Sequence, residues 1–191
     1  MSTATASVRM PSTGITNARL GVWWFMGGEL LIFGGLLACY VLMRLRHPEW
    51  AEHAEHTIGY IGFGNTLVLL TSSLTIVSAF KAADNGQFKK SANLCWVTVG
   101  LGVLFLAVKS FEYSHEIHAG FTPTTNLFWS FYFLMTGLHA LHIIGGLIAI
   151  GIIAKGVAKG RNPQRVELVG LYWHLVDIIW IFLFPLVYVA S

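Results

Sequence analysis

The chain has 191 residues, of which 55% are hydrophobic and only 11% charged, with a formal net charge of +3 and a mean hydropathy of +0.65. A soluble domain of this size cannot enclose so much apolar surface, so long stretches must face lipid. The modest charge excludes the strong basic field that would direct a chain to nucleic acid.

Residues 1–18 are a polar tail rich in Ser and Thr, whose sole charge is Arg9. No short apolar core with a small-residue cleavage site follows, so the first span is itself expected to be the insertion signal. Five apolar stretches come next, at about 20–43, 58–80, 92–111, 127–154 and 169–189. Each is long enough, at about 1.5 Å per residue, to cross a hydrocarbon core of about 30 Å. None alternates with the period of a barrel strand, so each is predicted to be a helix that satisfies its own backbone. The expected fold is all-α: an integral membrane bundle of five transmembrane helices, forming a single domain over 19–191 without internal repeats.

Basic residues give the direction. Arg9, Arg19, Lys81, Lys89, Lys90, Lys155, Lys159, Arg161 and Arg165 share one side, against Arg44, Arg46 and Lys109 on the other. The amino terminus is therefore expected in the cytoplasm and the carboxyl terminus outside. Cys39 and Cys95 then sit near opposite faces, about 20 Å apart by the helical rise, too far for a disulfide, and read as packing residues. Small residues are expected to bring helices close where no hydrophobic effect drives association: Gly27, Gly28, Gly34, Gly35 and Ala38 on the first helix, Gly145, Gly146 and Ala149 on the fourth. Ser72, Thr75 and Ser78 on the second can add interhelical hydrogen bonds.

Ionisable residues inside the spans need a reason, because a charge at mid-membrane costs a few kcal/mol even on lenient scales. Glu29 is about 14 Å deep in the first helix. His139 and His142 share a face of the fourth, and His174 and Asp177 a face of the fifth, beside Trp173 and Trp180. Glu29, His139 and Asp177 lie at similar depth, so a bundle can bring them together. Glu112, three residues after Lys109, reads as half of an interfacial ion pair. One reading of these groups is a metal or haem site. A di-iron bundle needs four carboxylates and paired Glu-x-x-His motifs, however, and the stretches as drawn hold two carboxylates and no such motif. The other reading, preferred here, is that they bond across helices, with Glu29 neutral in its apolar surroundings. His53 and His56 in the loop RHPEWAEHAEH could take zinc adventitiously, but alternating Glu and His more often marks a solvated surface segment.

These same positions carry a resemblance. LGVWWFMGGELLIFGG with Glu29, NTLVLLTSSLT, FEY at 111–113, GLHALHIIGG with His139 and His142, and YWHLVDIIWIFLFPLVY with His174, Asp177 and Trp180 together resemble haem–copper oxidase subunit III. The similarity covers nearly all the chain from Arg19 onward. It is closest to the five-helix bacterial form, since counterparts of the first two helices of the seven-helix mitochondrial form are absent. The resemblance implies an accessory subunit without catalytic residues, haem or copper of its own, in a bacterial plasma membrane. The redox centres would belong to subunits I and II. The chain would pack on subunit I, with subunit II and a small subunit IV as further partners and structural phospholipid as a companion. It would stabilise subunit I and support proton uptake while the complex reduces dioxygen and pumps protons. The electron donor, cytochrome c or quinol, docks elsewhere. Other readings are a subunit III-like protein of a nitric oxide reductase, an autonomous membrane metalloenzyme, and a small proton-coupled transporter.

Overall fold

A computed structural model describes residues 17–48, 50 and 59–189. Its elements are α1 (Asn17–Arg46), α2 (Gly59–Asp84), α3 (Phe88–His118), α4 (Leu127–Val157) and α5 (Arg165–Phe184), closed by a π turn, Pro185–Val189. All five α-helices are long and apolar enough to span a membrane, and no strand occurs among the described residues. Most of the polar tail, together with His53 and His56, lies outside the described residues.

The helices overrun the apolar stretches read from the sequence, most of all α3, which continues past residue 111 to His118. Hydropathy falls at the membrane boundary, but α2, α3 and α4 run on to a glycine that can take the left-handed conformation. Gly86, Gly120 and Gly160 do so, at φ 72°, 90° and 69°. In each case the amide after the glycine returns to the carbonyl five residues back, as from Gln87 to Ala82 (2.8 Å), Phe121 to Glu116 (3.0 Å) and Arg161 to Gly156 (3.0 Å). These bonds satisfy carbonyls that would otherwise be orphaned at the helix end. At the start of α4, Asn126 accepts the amide of Trp129 at 3.0 Å, an ordinary side-chain cap.

Helix α5 is the centre of the bundle, touching α1, α2 and α4, while α2 packs most extensively on α3. Half of its apolar window is buried within the chain (50%), against only 17% for α1. Trp173 and Trp180 on α5 are enclosed with Ile76, Phe105, Ile143 and Ile150. Gly102 and Gly146 make room for Trp173: a Cβ would lie 3.0 Å from its ring at Gly102 and 2.8 Å at Gly146. The expectation for α1 is corrected. A Cβ added at Gly27, Gly28, Gly34 or Gly35 would meet nothing within 4 Å, so these glycines join no helix of this chain. Cys39 is likewise exposed, whereas Cys95 is buried. The reason is geometric: α1 buries only a narrow stripe, Glu29, Phe33 and Tyr40, and its glycines face away from it.

Candidate functional site: polar contacts inside the bundle

Helix α3 places Lys109, Glu112 and Glu116 one turn apart on a single face, all buried. The interfacial pair expected of Lys109 and Glu112 is therefore internal, with the two residues 3% and 0% exposed. The longer α3 and the aromatic residues of α4 and α5 enclose it. Lys109 Nζ lies 3.2 Å from Glu112 Oε2 and donates to the hydroxyls of Tyr132 (3.0 Å) and Tyr188. Both tyrosines donate in turn to Glu112 Oε1, at 2.8 and 2.6 Å. The ammonium also lies over the rings of Tyr132, Tyr113, Tyr188 and Trp180, 4.6 to 5.7 Å from their centroids. All three ammonium protons thus have partners, and α3, α4 and the π turn are clasped together. The π turn sets Tyr188 in place. Pro185 has no amide to continue the α-helical ladder, and the widened turn leaves the Leu186 carbonyl to Tyr40 OH (2.9 Å) and Arg44 Nη1 (3.3 Å) of α1. The extension of α3 also brings a Glu-x-x-His, Glu112 to His115, onto one helix, but Glu112 is buried in the clasp and His115 is exposed.

His139 is fully buried and packs between rings, stacked on Trp180 at 5.2 Å and edge-on to Phe105 at 5.8 Å. Glu29, His139 and Asp177 do not gather, and the expectation that they bond across helices is corrected for two of them: neither ring nitrogen of His139 and neither carboxyl oxygen of Asp177 has a hydrogen-bond partner among the described residues. Glu29 Oε2 instead lies 2.9 Å from His142 Nε2, across α1 and α4. His142 Nδ1 is 2.8 Å from the Leu138 carbonyl, and since a carbonyl only accepts, Nδ1 carries the proton there. The contact is one of proximity alone, since Glu29 Oε2 has no hydrogen-bond partner among the described residues.

On the α2–α5 seam, Ser73 Oγ is 2.7 Å from His174 Nδ1, beside the buried Asp177 carboxyl. The indole nitrogens of Trp173 and Trp180 donate to Ser72 (2.9 Å) and Thr66 (3.0 Å) of α2. Thr75 meets Thr98 of α3 at 2.7 Å. Ser78, expected to join them, is exposed and bonds its own helix at Leu74. At the end of the bundle where α1 begins, called the basic end below, Arg19 pairs with Glu167 of α5. Where α1 and α4 meet α5 lies a wedge of about 680 Å³, lined by Val22, Phe25, Ala149, Ile153, Tyr172 and Arg165.

Sequence reasoning picked out Glu29, Glu112, His139, His142, His174, Asp177 and Trp180. It missed their bonding partners Tyr132, Tyr188 and Ser73, and Glu116 buried on the same face of α3. The spacing of Lys109, Glu112 and Glu116 on one helical face could have flagged the clasp; nothing in the spacing of Tyr132 and Tyr188 could have. No three or more His, Cys, Asp or Glu side chains converge to form a ligand set among the described residues.

Five helices long and apolar enough to cross a bilayer, with no strand among the described residues, define an all-helical, multi-pass membrane protein. The chain matches the family model for cytochrome c oxidase subunit III over residues 8–191. It is 35% identical over 177 residues to cytochrome c oxidase subunit 3 of Thermostichus vulcanus, covering 90% of this chain and 87% of that one. Against cytochrome c oxidase subunit 3 of Bacillus sp. (strain PS3) it is 33% identical over 179 residues, covering 92% and 86%. Against quinol oxidase subunit 3 of Bacillus subtilis (strain 168) it is 31% identical over 183 residues, covering 94% and 89%. The chain belongs to the cytochrome c oxidase subunit III family.

Proposed function

We propose that this chain is the accessory third subunit of a haem–copper terminal oxidase, lying in a bacterial plasma membrane with its basic end toward the cytoplasm. It packs on subunit I, with subunit II and a small subunit IV as further neighbours. Haem and copper reside in subunits I and II, and this chain carries no catalytic centre. Its work is to stabilise subunit I and to support proton uptake while the complex reduces dioxygen to water and pumps protons.

The observation that carries this reading is the family match over residues 8–191. The surroundings of the intramembrane residues support a structural role: Lys109 and Glu112 are consumed by a clasp, His139 lies between Trp180 and Phe105, and His142 contacts Glu29. The α1–α4 wedge suits one acyl chain of a structural phospholipid, with apolar walls and Arg165 placed for its phosphate.

Purification of the native complex from its host membrane tests the reading. Oxygen reduction by a complex containing this chain and a haem–copper subunit is the expected result. Reduction of nitric oxide in place of oxygen would move the chain to the nitric oxide reductase system, and absence of any haem–copper partner would overturn both. Stoichiometric iron, copper or zinc in the isolated chain would overturn the metal-free reading. Proton flux through the chain alone in liposomes would favour a transporter.

A further inference from the structure

At the basic end, two separate loops converge. Lys89 and Lys90, in the first turn of α3, and Lys159, in the α4–α5 loop, line one open concavity of about 810 Å³. All three side chains are exposed, and none forms an ion pair or hydrogen bond among the described residues. Three ammonium groups are thus held around a common space with no internal counter-ion. The acidic residues of this end line an adjoining concavity that shares Gly86 and Phe88 with this one: Asp84 and Glu167 face that side, and Glu167 is held by Arg19.

The shape of the concavity is set by the turns described above. Gly86 and Gly160 line it and carry no side chain to fill it. Phe88 adds an apolar ring to the lining; a Cβ at Gly160 would lie 3.6 Å from it. The concavity also sits at the first residues of one spanning helix and just past the last of another, which is the level of the lipid headgroups. A soluble anion would use the charge and leave the apolar ring bare. A phospholipid uses both.

We propose that Lys89, Lys90 and Lys159 form a binding site for the phosphate headgroup of an anionic phospholipid, whose glycerol and proximal acyl carbons lie on Phe88. The site is distinct from the α1–α4 wedge and does not depend on the oxidase assignment, only on the chain spanning a membrane.

The test is a titration of the delipidated complex, in neutral detergent, with phosphatidylglycerol or phosphatidylcholine, bound lipid being resolved by native mass spectrometry. Each basic side chain near an anionic headgroup weights binding by roughly fivefold. The combined Lys89→Gln, Lys90→Gln and Lys159→Gln variant is therefore expected to bind phosphatidylglycerol about a hundredfold more weakly, with phosphatidylcholine unaffected. The matching Lys→Arg variant should retain binding, and Lys81→Gln with Lys155→Gln, outside the concavity, should change little. Undiminished phosphatidylglycerol binding by the triple Gln variant would overturn the proposal. So would equal loss in the Lys81 and Lys155 control, which would indicate diffuse surface charge. Displacement of the lipid by inorganic phosphate alone would replace the lipid site by one for soluble anions. The lysines are exposed, so an unchanged melting curve is expected for every variant.

Discussion

Replacing Glu112 by Gln probes the clasp where its cost is greatest. Glu112 accepts three donors, the hydroxyls of Tyr132 and Tyr188 on Oε1 and the Lys109 ammonium near Oε2. An amide that keeps its oxygen toward the two tyrosines turns its NH2 toward Lys109, setting donor against donor. The ammonium, 3% exposed, then has no carboxylate within ion-pair distance. Removing one member of a buried pair costs about 3–5 kcal/mol, and the four surrounding rings should hold this case near the lower end, about 3 kcal/mol. Lys109→Met should cost a similar amount, because it leaves the carboxylate with hydroxyl donors alone. The double variant leaves neither charge, and exchanging a whole buried pair for neutral groups is often close to neutral. We expect it to cost only about 2 kcal/mol, a coupling of about 4 kcal/mol. Reversible unfolding of the full chain in mixed micelles, followed by circular dichroism across a denaturant series, measures all three. If the double variant loses as much as the two single variants together, Lys109 and Glu112 act independently and the clasp is misread.

The glycines give a paired contrast: Gly146→Ala, with Trp173 2.8 Å from the new carbon, should destabilise by about 1–3 kcal/mol, while Gly28→Ala, with open space, should change the same unfolding midpoint little. Glu29→Gln should leave assembly with subunit I largely intact, since the amide keeps the shape of the carboxyl beside His142. Loss of co-purification would show that the charge of Glu29 is needed. Asp177→Ala or His174→Ala should weaken co-purification with subunit I while the haem spectrum of the remaining complex stays unchanged; a lost haem band in an intact complex would contradict a structural role. Trp180→Phe removes the indole bond to Thr66 and should cost about 1 kcal/mol, read by thermal unfolding.

The sequence was most informative where a property belongs to a continuous stretch. Hydropathy located five spans, and each agrees with a helix because a lipid-facing backbone must bond to itself. It was less informative about where helices stop. The apolar signal of α3 ends near residue 111, but its backbone continues to the glycine after Ala119. That glycine was visible in the sequence, although its role was not.

For the candidate site the limit is different. Periodicity set Lys109, Glu112 and Glu116 on one face and marked the intramembrane Glu29, His139, His142, His174 and Asp177 as in need of partners. Which partners they have depends on how helices far apart in the chain are rotated against one another. Equal depth suggested that Glu29, His139 and Asp177 can meet, whereas helix rotation turned Glu29 to His142 and His139 to Trp180, and left Asp177 beside Ser73. The same rotation left the glycines of α1 facing outward. The sequence by itself determined that the chain crosses the membrane five times and that its buried charges must be answered. Only the tertiary structure decided by what, because helix azimuth is fixed by side-chain packing between segments, and no single helix carries that information.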